Sequence, residues 1–286
     1  MKMKSRLALV VVFALLAVRA EAADLKIQVY TSTEGLNVTS TIITGDTEAM
    51  VVDPQFRLSD AHRVAALVLE TGKRLTMVYS THPHPDHYFG LAVLHPAFPD
   101  AKLLALPVVV KGIEASWDAR YNFWKPTYGD NIPARHVIPQ ALDTDTLMLD
   151  GQEIKIIGLV QGDSPGDNSY VWIPSIKAII GGDILFGNMH MPLGGLTSQQ
   201  RADWLQVIND MIALKPEIVV AGHEGPGTKH DASILTRMKA YLEYFDEARA
   251  ASKTPEELEA KLQARFPDGT DTVSGMLKFS SEAAFR

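Results

Sequence analysis

Apolar and polar residues along this chain alternate with two periods, one near 2 and one near 3.6. Residues 25–31, 38–44 and 49–53 are short β-rich runs separated by turn residues, which predicts three strands. Ala61, Val64, Ala65 and Val68 then recur at helical spacing, so a helix capped by Ser59 and ended by Gly72 is expected. Residues 75–80 form an apolar strand. A short helix after Gly90, a strand at 102–106 and a helix at 108–124 follow, the last rich in large residues and suited to wall a pocket. A second strand series occupies 146–149, 153–159, 168–173 and 178–184. An amphipathic helix at 198–214, a strand at 217–221 and helices at 232–249 and 255–266 complete the pattern. Two strand groups with helices around them predict two sheets packed face to face, covered outside by helices, in a single domain.

Composition changes this picture at one end. The 286 residues are 46% hydrophobic and 21% charged, ordinary for a globular chain with a sizeable core. The N-terminus departs from that average. Lys2, Lys4 and Arg6 precede an unbroken apolar run over 7–18, too short to span a bilayer comfortably, and Ala20-Glu21-Ala22 fits an A-x-A cleavage pattern. Residues 1–22 are therefore expected to be a signal peptide and 23–286 the mature domain. The mature protein would be periplasmic or secreted, with no stable membrane anchor. Four basic residues and one acidic residue leave with the peptide, so the formal charge goes from −7 to −10. Without a basic stripe, such a chain is a poor nucleic-acid binder, and a small-molecule substrate is the expected partner. There is no cysteine, which removes disulfides and every thiolate nucleophile or ligand.

The strand at 75–80 feeds into His82-Pro83-His84-Pro85-Asp86-His87. The two prolines hold this loop extended, and residues two apart in an extended chain point the same way. His82 and His84 can thus converge on one cation, while Asp86 and His87, beyond the bend, can face a second. Imidazole and carboxylate donors suit zinc, and also iron or manganese.

This run, followed by Gly90, resembles the H-x-H-x-D-H signature of the metallo-β-lactamase superfamily. The resemblance continues in order: Asp53 resembles the early strand-end aspartate, Gly162-Asp163-Ser164-Pro165-Gly166 the G-H-[ST]-P-G turn, Gly181-Gly182-Asp183 the later strand-end aspartate, and Gly222-His223 the last histidine motif. The resemblance implies a four-layer αββα sandwich and a site for two Zn2+ ions between the sheets. Carried over, His82, His84 and the position of Asp163 would hold the first metal, and Asp86, His87 and His223 the second. Asp183 would bridge them. Asp163 departs from the family's histidine and is either a ligand or a capping residue of its turn. As a ligand it brings two divalent cations, three carboxylates and a hydroxide to zero formal charge, where histidine would leave +1, so the site should be a weaker electrophile.

The implied activity is hydrolysis by a metal-bound hydroxide that Asp86 orients, with Asp86 or a water passing a proton to the leaving group. Asp183 resembles the lactonase and glyoxalase II side of the superfamily, so a lactone or ester is the expected substrate. A β-lactamase is the alternative, favoured by the export signal and Asp167-Asn168. A phosphodiesterase stands third, and a weakly catalytic metal- or ligand-binding protein is the non-enzyme reading. Of the remaining histidines, His190 is expected at the surface or in a pocket wall, His62 in solvent and His95 in a turn. His136 and His230 fall in loops. Trp117, Tyr121 and Trp124 are expected to pack in the core or wall the substrate.

Overall fold

The computed structural model describes residues 24–34, 36–271 and 275–286; the expected signal peptide lies outside the described residues. Strands β1 (Lys26–Thr31), β2 (Thr39–Thr44), β3 (Glu48–Val52), β4 (Arg74–Ser80), β5 (Lys102–Ala105) and β6 (Gln140–Ala141) form one sheet in sequence order. Its first three strands pair antiparallel and the rest parallel. The parallel pairings need crossovers, which α1 (Leu58–Glu70), α2 (Leu91–Ala97) and α3 (Pro107–Tyr128) supply.

The second sheet is built from β7 (Thr146–Leu149), β8 (Gln152–Val160), β9 (Asn168–Ile173), β10 (Ala178–Ile180) and β12 (Ile218–Val220), in the order β12-β10-β9-β8-β7. A two-stranded pair, β11 (Phe186–Gly187) with β13 (His223–Glu224), lies beside it. Helices α4 (Ser198–Ala213), α5 (Ser233–Ala250), α6 (Pro255–Arg265) and α7 (Met276–Ala283) complete the chain. None of the described helices is long and apolar enough to cross a membrane.

Three apolar clusters show how the layers stack. Met50, Val52, Tyr79 and Leu104 of the first sheet meet Leu149, Ile154, Val171 and Ile180 of the second. Val51 and Val78, on the opposite face of the first sheet, pack against Val64, Val68, Leu94 and Ile113 of α1–α3. Ile179 and Val219 of the second sheet pack against Trp204, Ile208, Met238 and Leu242 of α4 and α5. Strands covered on both faces are apolar at successive positions, as Met50, Val51 and Val52 are. The result is the αββα sandwich.

The differences from expectation are local. The first helix begins at Leu58 with Arg57 as its N-cap, and no side chain caps it. Ser59 lies inside the first turn, where its N–H donates to the Asn131 side chain. The strand expected over 178–184 stops at Ile180, because the chain turns sharply through Gly182 (φ 50°) to present Asp183. His95 sits in the last turn of α2 rather than in a turn. Helix α7 and the two-residue strand β6 are too short for their periodicity to announce them.

Candidate metal centre

The strand ends converge on one edge of the sandwich. His82, His84 and Asp86–His87 follow β4, Asp163 follows β8, Asp183 follows β10, and His223 opens β13 after β12. Sheet geometry alone brings residues 82 and 223 together, and close backbone contacts tighten the cluster. A Cβ on Gly182 would lie 2.5 Å from Thr81 Oγ1, and one on Gly222 would lie 2.4 Å from the Gly182 carbonyl carbon. Only glycine permits these approaches, so Gly182 and Gly222 let Asp183 and His223 reach the histidine loop.

The ligand-type atoms fall into two groups, each with all its atoms within 4.8 Å of one another: His82, His84, Asp163 and Asp183, and Asp86, His87 and His223. Asp183 divides its carboxylate between them. Oδ2 lies 3.1 Å from His82 Nε2 and 3.4 Å from His84 Nδ1. Oδ1 lies 3.0 Å from His87 Nε2 and 3.1 Å from His223 Nε2. Asp86 Oδ2 lies 3.3 Å from His223 Nε2, and Asp163 Oδ2 lies 3.2 Å from His84 Nδ1. With Asp183 shared, each group presents two imidazole nitrogens and two carboxylates.

Partners behind the imidazoles set their orientation. His87 Nδ1 is 2.9 Å from Asp53 Oδ2, and His223 Nδ1 is 2.9 Å from the Leu36 carbonyl. The Thr81 hydroxyl donates to Asp53 Oδ2, so His82 Nδ1 donates to Thr81 Oγ1 at 3.0 Å. All three rings are thereby left with Nε2 facing the centre, the arrangement that supports metal-binding histidines. Asp53 adopts a left-handed backbone (φ 56°), a conformation that costs roughly 1–2 kcal/mol. Its carboxylate also accepts from the Thr81 N–H, and each hydrogen bond to a charged group contributes about 1.5–3 kcal/mol, enough to hold that turn.

The electrostatics are those of interleaved ion pairs. Burial works against charge on Asp86 and Asp183, yet His87 and His223 hold both well below the usual carboxylate range. Burial likewise opposes protonation of the imidazoles, and the carboxylates overcome it. Asp183, Asp53 and Asp86 raise His87 well above its ordinary value, while Asp183 and Asp86 push His223 up to about 10. Asp163, Asp183 and Asp86 raise His84. Even so, His82 Nε2 and Asp183 Oδ1 are buried without a well-formed hydrogen bond. Such orphaned atoms are costly in a protein interior, and a cation between the groups would satisfy both. The donor set fits a pair of divalent metals.

A cavity of about 150 Å³ opens beside the centre. His84, Asp86, Asp183 and His223 form one side, and Leu36, Trp124, Phe186, Met189 and Met276 form an apolar wall with Arg120 and His190. His190 is fully buried and held by Tyr241 and Gln263. It lines the wall and stands apart from both ligand groups. Trp124 walls the cavity, whereas Trp117 is core, stacked on Tyr121. His62, His95 and His136 are exposed. Asn168 does not line the cavity; its amide donates to the Ser164 carbonyl and, at 3.4 Å, to Asp163 Oδ1, so it supports the turn. Sequence reasoning missed Leu36, Phe186, Met276 and Arg120, which lie in ordinary apolar or helical contexts.

The chain matches the model of the metallo-beta-lactamase superfamily over residues 33–223, which contain every residue of both ligand groups. No curated protein matches it in sequence. Among solved structures, VMB-1 is similar with a TM-score of 0.57 at 18% identity, covering 80% of this chain and 99% of that one. A metallo-beta-lactamase from Pontibacter korlensis superposes with a TM-score of 0.55 at 18% identity over 78% of this chain and 98% of its own. TMB-1 does so with 0.54 at 20% over the same shares. At these identities the likeness is one of fold. With the family model covering most of the sequence, the chain belongs to the metallo-β-lactamase superfamily of metal-dependent hydrolases.

Proposed function

We propose that the protein is an exported hydrolase that holds two zinc ions and cleaves a lactone or ester. The observation that carries this reading is the divided carboxylate of Asp183, one oxygen facing each ligand group. His82, His84 and Asp163 would hold one ion, and Asp86, His87 and His223 the other. The metals would supply Lewis acidity and a water acidic enough to act as nucleophile near neutral pH. Asp86 borders both its ligand group and the cavity, which suits it to orient that water and carry a proton toward the leaving group. The apolar wall suits the acyl part of a small substrate and keeps bulk water out. Export rests on the basic, apolar and small-residue order of residues 1–22.

The test is metal analysis with a substrate panel on purified mature protein, covering lactones, aryl esters, thioesters, phosphodiesters and β-lactam chromogens. Two metals per chain and chelator-sensitive turnover, faster on a lactone or ester than on any β-lactam, is the expected result. Rapid cephalosporin turnover with lactones and esters ignored would make the protein a β-lactamase. Tight metal binding with no turnover of any substrate would make it a binding protein. Recovered from the periplasm or medium, the chain should begin near Ala23 by intact mass; a soluble cytoplasmic protein retaining Met1 would refute export.

A further inference from the structure

Within the apolar wall of the cavity stands one guanidinium, that of Arg120. Arg120 and Trp124 are one turn apart on α3 and share the face that looks into the cavity. The helix is tied closely to the ligand loop: a Cβ on Gly112 would come within 2.9 Å of the Pro83 ring. Arg120 lies eight residues beyond Gly112, about 12 Å along the helix axis. Its position relative to His84 is therefore set by packing between rigid elements.

A guanidinium is a fixed positive charge, and among the described residues no carboxylate forms an ion pair with that of Arg120. Asp86 and Asp183 line the same cavity, but Asp86 Oδ2 faces His87 and His223, and both oxygens of Asp183 face the four histidines of the centre. Arg120 is half-buried and sits at the border of the apolar wall, where an anion in the cavity can reach it. The charge of the centre sharpens the point. With Asp163 in place of a histidine, three carboxylates would face any bound cations, which would then attract an anion less strongly. Arg120 is then the charge left in the cavity to attract one.

We propose that Arg120 binds a carboxylate of the substrate, and that the natural substrate is a small ester or lactone carrying a free carboxylate a few atoms from its scissile carbonyl. The proposal rests on the hydrolase reading above. The guanidinium fork matches a carboxylate with two parallel hydrogen bonds, which orients as well as attracts. Trp124, one turn on, covers the chain between the two ends of the substrate.

The test compares 4-nitrophenyl hemisuccinate with 4-nitrophenyl butyrate, which share a leaving group and differ in the distal carboxylate. Zinc-loaded protein should favour the hemisuccinate. Arg120→Gln should lower the hemisuccinate-to-butyrate ratio of kcat/KM about 10- to 100-fold, chiefly through KM, and Arg120→Lys should lower it less. An unchanged ratio overturns the proposal, whether the two rates stay constant or fall together. Calorimetry with the uncleavable pair N-phenylsuccinamic acid and N-phenylbutyramide separates this proposal from the hydrolase reading. If neither ester is cleaved, the hydrolase reading fails, and loss of acid binding in Arg120→Gln still supports the anion site. Equal binding of acid and amide, or equal acid binding by both proteins, refutes it.

Discussion

The two halves of the candidate metal centre offer the same donor types and differ in how those donors are held. In the half made by Asp86, His87 and His223, every group is buried, and both imidazoles have a partner behind them, the Asp53 carboxylate and the Leu36 carbonyl. In the half made by His82, His84 and Asp163, only His82 is fully buried. Asp163 is steadied by long hydrogen bonds from Ser164 and Asn168, at 3.3 and 3.4 Å. Ligands fixed in advance lose less freedom on binding. The buried half should therefore hold its metal more tightly, and the open half should be where metal exchanges.

The severest way to break the comparison is to remove what the halves share. Asp183→Ala takes one oxygen from each, so both metals should be lost and activity should fall by about 10³-fold or more. Metal content after dialysis checks it; an alanine variant that keeps two metals would mean that the halves are independent. Next is Asp163→Ala, which should leave about one metal per chain, in the buried half, and lower activity about 10- to 100-fold. Asp163→His should restore two. If Asp163→Ala binds both metals as tightly as the parent, Asp163 is a turn residue and the open half completes its shell otherwise. Asp53→Ala acts from behind: it should weaken the buried half, whose His87 it holds directly, about 10- to 100-fold in a competitive metal titration, and the open half, which it reaches only through Thr81 and His82, less.

That asymmetry was only partly legible in the sequence. His82, His84, Asp86 and His87 are within six residues, and two prolines dictate an extended loop, so local rules suffice to place them. Asp183 and His223 were located by the order of motifs, since no local rule places residues 82 and 223 side by side; the sheet topology does that. Asp53 could be matched to a motif, but its hold on His87 depends on a left-handed turn that periodicity does not reveal. Arg120 was hidden because an arginine on a helix is ordinary until the facing wall is known. The strand and helix pattern was readable because sandwiched strands are apolar throughout and covering helices on one face. Helix α7 was not, being eight residues long.

The smallest effect concerns protons. In the metal-free protein His223 is raised from its ordinary value of 6.5 to about 10, so the folded state holds a proton that the unfolded chain releases. The associated stability is fully present below about pH 6.5 and is lost as pH rises toward 10. Metal-free protein should thus melt at lower temperature as pH climbs through that window, and the metal-loaded protein, whose imidazoles bind metal rather than protons, should show a flatter profile. Parallel melting curves for the two forms would contradict the ion-pair description of the empty cluster.

The central proposal is that two ions would bind side by side, sharing the Asp183 carboxylate. Anomalous scattering at the zinc edge from crystals of the zinc-loaded protein tests it most directly. The account predicts two peaks per chain, one among His82, His84 and Asp163, the other among Asp86, His87 and His223, with an Asp183 oxygen on each. A single peak, or two peaks with Asp183 bound to neither or to one alone, would contradict it.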